Sequence, residues 1–242
     1  MKNLSEYYSY YDVDSAEEEF DIAIHRNNID KIKVLLTNVD KFSEGFLNYC
    51  LRYSSEKGHL EIVKELLADG RADPTDAFNG AFVLAAKNNN VDILEELLKD
   101  SRVDPTDNNF RAFIYLSTLE SEEMLITLMN DYRTNQREFL DWATRNGADV
   151  ILKLALKNLD IKTGIIAGNN EYATKYIKNA AYNGHTETVK LLLNDERIIR
   201  GLKDTNVLHK LKGKGNTLQQ AIIDTFDYIK NEEDIRMFIS LL

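Results

Sequence analysis

One cysteine, two prolines and one tryptophan occur in 242 residues, with only eleven glycines. A lone Cys50 cannot close an internal disulfide, so the chain is no disulfide scaffold and a reducing compartment fits. So few prolines and glycines exclude an all-β sandwich, which needs many tight turns. No apolar run approaches the roughly 18 residues that span a bilayer. The amino-terminal MKNLSEYYSYYDVDSAEEEF has no apolar core of the secretory kind, so a cytoplasmic protein without a membrane segment is expected. Basic side chains number 30 against 40 acidic ones, a net charge of −10. Phosphate-backbone recognition needs a broad basic face, so no nucleic-acid partner is expected.

What is present is a repeat. Residues 54–75 read SSEKGHLEIVKELLADGRADPT, and residues 76–107 read DAFNGAFVLAAKNNNVDILEELLKDSRVDPTD. The two lines align at an offset of 31: Gly58 falls on Asn89, and Leu66-Leu67 on Leu97-Leu98. Arg71-Ala72-Asp73-Pro74-Thr75 returns as Arg102-Val103-Asp104-Pro105-Thr106. A fixed period of this length marks a stack of supersecondary units, each too small to bury its apolar face alone.

The Gly58 position sets the phase. It is Asn27, Gly58, Asn89, Glu120, Gly147, Gly184 and Gly215 in turn, with one short interval followed by one long one, so the register recovers. A reversal between two helices wants a residue tolerant of positive φ, which glycine and asparagine supply. Glu120 breaks the rule, and the fourth turn is expected to be altered. Apolar residues recur at helical spacing in each unit, with small ones (Ala23, Ser54, Ser55, Ala85, Ala86, Ser117, Ala143, Ala180, Ala181) near the ends of the first helices. Trp142, Phe82, Phe113 and Phe139 fall on core faces. The Asp-Pro pairs at 73–74 and 104–105 end the second helix and lead to the next unit. The expected division is 1–19, an acidic Tyr-rich arm or cap; 20–224, seven helix pairs; and 225–242, a helix covering the open carboxy-terminal end.

GHLEIVKELL at 58–67, NGHTETVKLLL at 183–193 and the Leu208-His209 pair resemble the ankyrin repeat. The resemblance implies an all-α, ankyrin-type helical solenoid of about seven helix-turn-helix repeats with short inter-repeat loops and terminal caps. It departs from the family in two ways. No unit has the full Thr-Pro-Leu-His, and the period is 31 rather than 33, which points to shortened fingers between repeats. The ADPT and VDPT phrasing and the acidic, proline-poor composition resemble the ankyrin families of giant DNA viruses of amoebae. That likeness implies a viral protein in the host cytoplasm.

Chemistry is sparse. His59 and His185 follow the turn glycine, where the family's histidine bonds loop backbone; His209 matches a structural position and His25 is expected to face solvent. Without HxxxH or CxxC spacing a metal site is not expected. Cys50, placed at the start of a first helix, has no histidine or basic residue fixed beside it in sequence, so nucleophilic catalysis is not expected. Carboxylate pairs such as Glu95-Glu96 lie on solvated helix faces. Gly213-Lys214-Gly215 lacks the strand–loop–helix context of a phosphate loop.

A noncatalytic module binding one partner protein follows, with no cofactor, no membrane and a monomeric state. The alternatives are a substrate-recruiting adaptor of a ubiquitin ligase and a self-associating structural component. The family's ligands lie along loop tips and the ends of first helices. By phase these are Arg26, Lys57, Lys87, Asn88, Arg145 and Tyr182, and in the loops Asp76, Phe78, Asn79, Asn108, Asn109 and Phe110. Arg26, Lys57, Lys87 and Arg145 would form a basic strip suited to an acidic partner surface. Phe78 and Phe110, placed in loops after DPT, are the aromatic anchor candidates.

Overall fold

The computed structural model describes residues 15–37, 41–119, 121–158 and, with gaps, 172–198. Outside these lie most of the amino-terminal arm, Glu120, Ala181, Tyr182, the seventh repeat with His209 and Gly215, and the carboxy-terminal helix expected over 225–242. Among the described residues there is no strand. The helices are α1 (Ser15–His25), α2 (Ile29–Leu36), α3 (Glu44–Lys57), α4 (Leu60–Asp69), α5 (Asp76–Lys87), α6 (Val91–Leu98), α7 (Asp107–Thr118), α8 (Glu122–Asn130), α9 (Gln136–Asn146), α10 (Asp149–Asn158) and α11 (Thr186–Leu193). No helix among the described residues is long and apolar enough to cross a membrane.

The turn residues behave as their chemistry requires. Gly58, Gly147 and Gly184 take φ of 79°, 61° and 77°, and Asn27 and Asn89 take 49° and 56° in the same slot. The left-handed residue lets the following amide turn back to the helix end: the His59 N–H donates to the Ser54 carbonyl at 2.9 Å, and the Asn90 N–H to the Ala85 carbonyl at 3.0 Å. Helix starts are capped by local side chains. Asn28 accepts from the Lys31 amide, Ser43 from that of Phe46, and Asn135 from those of Arg137 and Glu138.

The chain divides into two compact units, Met1–Ser121 and Glu122–Leu242. The boundary falls in the fourth helix-to-helix turn, where the slot holds Glu120. In the first unit the first helices α1, α3, α5 and α7 pack side by side, and the second helices α2, α4 and α6 form a layer against them. Phe20, Ile24, Ile32, Leu47, Leu51, Ile62, Leu66, Phe82, Ile93 and Phe113 fill the space between the layers. The small residues earn their position, since Ala23, Ser54, Ser55, Ala85 and Ala86 are all buried, whereas Ser117 is half-buried. In the second unit α10 packs against α8, α9 and α11. Phe139, Trp142, Ala143, Leu152, Ala155, Ala180 and Val189 are buried there.

Three placements differ from expectation. Helix α1 is described from Ser15, ahead of Phe20, with Ala16 buried. Cys50 sits in the middle of α3 rather than at its start. Helices α5 and α7 open at Asp76 and Asp107 with a turn that is not α-helical, and Phe78, Asn79, Asn108, Asn109 and Phe110 lie in that turn. Those starts wind the wrong way for one turn. Ala77, Phe78 and Asn79 have φ of 54°, 57° and 54°; Asn108, Asn109 and Phe110 have 51°, 57° and 60°. Left-handed backbone costs roughly 1–2 kcal/mol per L-residue, so two such turns at one repeat spacing need local support.

Candidate protein-binding surface

The support comes from the DPT loop. Asp73 accepts from both the amide and the hydroxyl of Thr75, at 3.0 and 2.8 Å, and Asp104 does the same for Thr106 at 2.8 and 2.7 Å. Each loop is also held by the preceding repeat. The Asp73 N–H donates to Oδ1 of buried Asn48 at 2.7 Å, and the Asp104 N–H to Oδ1 of Asn79 at 3.2 Å. Asn48 and Asn79 are 31 residues apart, as are their targets. Upstream, Asp69 pairs with Arg71 at 2.7 Å, Asp100 with Arg102 at 2.7 Å and Asp131 with Arg133 at 2.6 Å. The guanidinium bonds hold the Asp69 and Asp131 carboxyls below the usual carboxylate range. This D-x-R clasp is written in the sequence at period 31, and only the geometry shows its purpose.

These bonds sort the loop candidates. Asp76 is ion-paired with Arg52, which reaches it over Gly80, where a Cβ would stand 2.8 Å from the Arg52 Cδ. Asn79 is 3% exposed and donates its amide to Asp107 at 2.6 Å. Phe110 is 9% exposed and packs edge-on against Phe113. Asn79 and Phe110 are thus buried and Asp76 half-buried, each in contact with its own unit. Asn108 is half-buried, and its backbone N–H donates to the Asp107 carboxylate. Asn109 is exposed, and Phe78 is 70% exposed.

The helix-end candidates stand at the solvent. Lys57 and Lys87 close α3 and α5, Arg26 follows α1, and all three are exposed. A cation at a helix carboxy-terminus is favoured by the helix dipole, which accounts for part of their placement. Asn88 turns its amide back onto the Leu84 carbonyl. Arg145, in the second unit, is bound to Asp141 at 2.6 Å. The three cations of the first unit fall at two neighbouring phases. Counting by 31, Lys57 stands opposite Arg26 and Asn88, while Lys87 stands opposite Glu56. Lys57 lies 3.5 Å from Glu56 and over the Tyr53 ring at 5.4 Å.

Sequence reasoning missed the aromatic side of this surface. Tyr49 and Tyr53, one turn apart on α3, sit 6.1 Å apart, with the His25 ring tilted at 35° against Tyr53 at 4.4 Å. Ile114, Tyr115 and Arg111 on α7 were passed over likewise; Arg111 lies over Tyr115 at 5.8 Å. The available signal was the phase, since Tyr53 and Tyr115 are two periods apart.

The histidine slot works as a brace between repeats. His185 Nε2 lies 2.9 Å from the Arg145 carbonyl, and Asn90, in the same slot, donates to the Ser55 carbonyl at 2.8 Å. Burial lowers the His59 pKa, which favours the neutral ring. His25 bonds its own helix, Nδ1 to the Asp21 carbonyl at 2.8 Å. Burial pushes the Cys50 thiol well up, with Asp21 and Glu17 adding to it, so the sulfur is held as an unreactive thiol. Burial raises Tyr49 as well, with Asp21 again contributing.

The family model of the ankyrin repeat matches residues 47–80, which run from α3 through α4 into the left-handed start of α5. No curated protein matches the chain. The matched segment is one repeat in phase with the neighbouring helix pairs of its unit, and the fold is all-helical with ankyrin-type helix-turn-helix repeats.

Proposed function

We propose that this chain is a noncatalytic protein-binding module whose contact surface is the solvent side of the first helices and the DPT loop tips. One observation carries the reading. In the first unit, exposed apolar groups and exposed cations share the side of the first helices that faces away from the core. Of the residues expected at the contact, Arg26, Lys57, Lys87 and Phe78 remain its best components, with Asn88 and Asn109 beside them. The absence of projecting strands between the described repeats moves contact from fingers to helix ends. The DPT phrasing supports the further reading of a viral chain that engages a host protein in the host cytoplasm.

The test is photocrosslinking in the cells that make the protein. A benzoylphenylalanine at Phe78 or Lys87 is expected to give discrete protein adducts, and one at Lys33 on α2 none. Adducts from Lys33 alone, or from no position, would overturn the reading. An adduct at twice the chain mass would indicate the self-associating alternative instead.

A further inference from the structure

The period of 31 lines up a second set of side chains beside the cations. Ile22 on α1, Tyr53 on α3, Leu84 on α5 and Tyr115 on α7 stand at one phase. Helices α1 and α3, α3 and α5, and α5 and α7 are in contact, so these side chains occupy successive repeats of one surface. Ile22 is 42% exposed, and the other three are half-buried. Tyr49 and Ile114, both exposed, widen the row on α3 and α7. The core-facing residues of the same helices, Leu47, Leu51, Phe82 and Phe113, lie on the opposite side and are fully buried.

The charge on this surface runs against that of the chain. Five rows spaced at 31, starting from Glu18, Asp21, Ile22, His25 and Arg26, run along α1, α3, α5 and α7; the acids Glu17, Glu19, Glu44, Asp76 and Asp107 lie outside them, in the first halves of these helices. Across them stand five basic residues, Arg26, Arg52, Lys57, Lys87 and Arg111, and three acidic ones, Glu18, Asp21 and Glu56. Asp21 is 1% exposed and accepts from the Tyr49 hydroxyl; Arg52 is committed to Asp76. These five rows are net basic on a chain of net charge −10. Lys57 over Tyr53 and Arg111 over Tyr115 place two of its cations against the apolar row itself.

We propose that this face takes an acidic segment of a partner protein, its apolar side chains on the Ile22–Tyr53–Leu84–Tyr115 row and its carboxylates against Lys57, Lys87, Arg26 and Arg111. The proposal rests on the protein-binding reading above and adds the partner's chemistry. Complementary charge steers encounter and rejects basic competitors, which the rest of this acidic chain would otherwise attract. Packed helices lie about 8–10 Å apart, so one repeat equals about three residues of polyproline-II chain at roughly 3.1 Å each, whose side chains return to one side every third residue. A segment of about 9–12 residues with an apolar side chain near every third position matches the row.

The experiment selects binders for the purified full chain from a random 12-residue peptide library and then measures the enriched peptide by fluorescence anisotropy. Enriched sequences are expected to combine Asp or Glu with aromatic or aliphatic residues. Affinity is expected to fall at least tenfold in Lys57→Glu/Lys87→Glu, with a flatter salt dependence, and in Tyr53→Ser/Tyr115→Ser. Lys33→Glu on α2 should leave it unchanged. Both lysines are exposed at helix ends, so that variant stays informative if the tyrosine pair unfolds the repeat. Basic or uncharged enriched peptides, or binding indifferent to both double variants, would overturn the acidic-partner inference and leave the protein-binding module standing. Enrichment of nothing would overturn both. Pelleting with phosphatidylserine vesicles that depends on the same side chains would replace the partner protein with a lipid surface and overturn the inference too.

Discussion

Phe78 carries two costs at once. It holds a large apolar ring 70% exposed, and it does so at φ 57°, ψ 58°. One repeat later the same position is Asn109 at φ 57°, ψ 49°, a residue that tolerates left-handed backbone. Among the described residues no ring partner offsets the cost of the phenylalanine. Phe78→Asn is therefore expected to stabilise the protein by about 1 kcal/mol, since the strain is relieved and little burial is lost. Thermal melts followed by circular dichroism should show the midpoint rising by about 2–4 °C for a chain of this size. A lower midpoint would mean that the ring is packed after all. Residues that fold the chain and residues kept for a partner separate here: Asn79, next door, is buried and bonded on both sides of its amide.

At the scale of the element, the inter-repeat loop is a small machine of its own. The turn from α4 to α5 takes six residues, Gly70–Thr75, before the next helix opens. Such a short link works because Asp73 closes on Thr75 and because Asn48, from the preceding first helix, holds the Asp73 amide. Asn48→Ala would leave that partly buried N–H without its acceptor, at a cost of about 1–3 kcal/mol. Urea titration should show a lower midpoint with an unchanged slope. An unchanged midpoint would show that water or a shifted loop satisfies the amide. The motif was legible in the sequence as Arg-x-Asp-Pro-Thr recurring at 31, but only its role as a helix stop could be read there. The left-handed turn that follows could not be read. Ala77 and Phe78 have no propensity for it, and the Asn79 contacts that hold it come from residues 104 and 107.

At the scale of the molecule, charge sets what can approach. A chain of net charge −10 repels polyanions at a distance, and a narrow basic face on four helices releases few counterions from a duplex. Titration of a fluorescein-labelled 20-base-pair DNA at about 150 mM salt is expected to show no saturation below about 10 μM, weaker than much ordinary nonspecific binding. Saturable binding at lower concentration would return nucleic acid to the list of partners. The same net charge makes the acidic-segment proposal specific, because the attraction is confined to the first-helix face.

The helix-pair architecture, its period and its turn slots follow from the sequence alone. Helical spacing of apolar residues and glycine or asparagine at a reversal are local physics, decided within about ten residues. Gly58, Asn89, Gly147 and Gly184 took the positions that this reasoning assigns them. The candidate surface was half legible. Lys57 and Lys87 could be placed at helix ends by phase, but not the pairing of Arg145 with Asp141 or the burial of Phe110. Those depend on which side chains meet across helices, and a slip of one residue turns a helical side chain by about 100°. Tertiary structure alone therefore decided which of the repeated residues brace the repeats against each other, and which face outward as an aromatic and basic row.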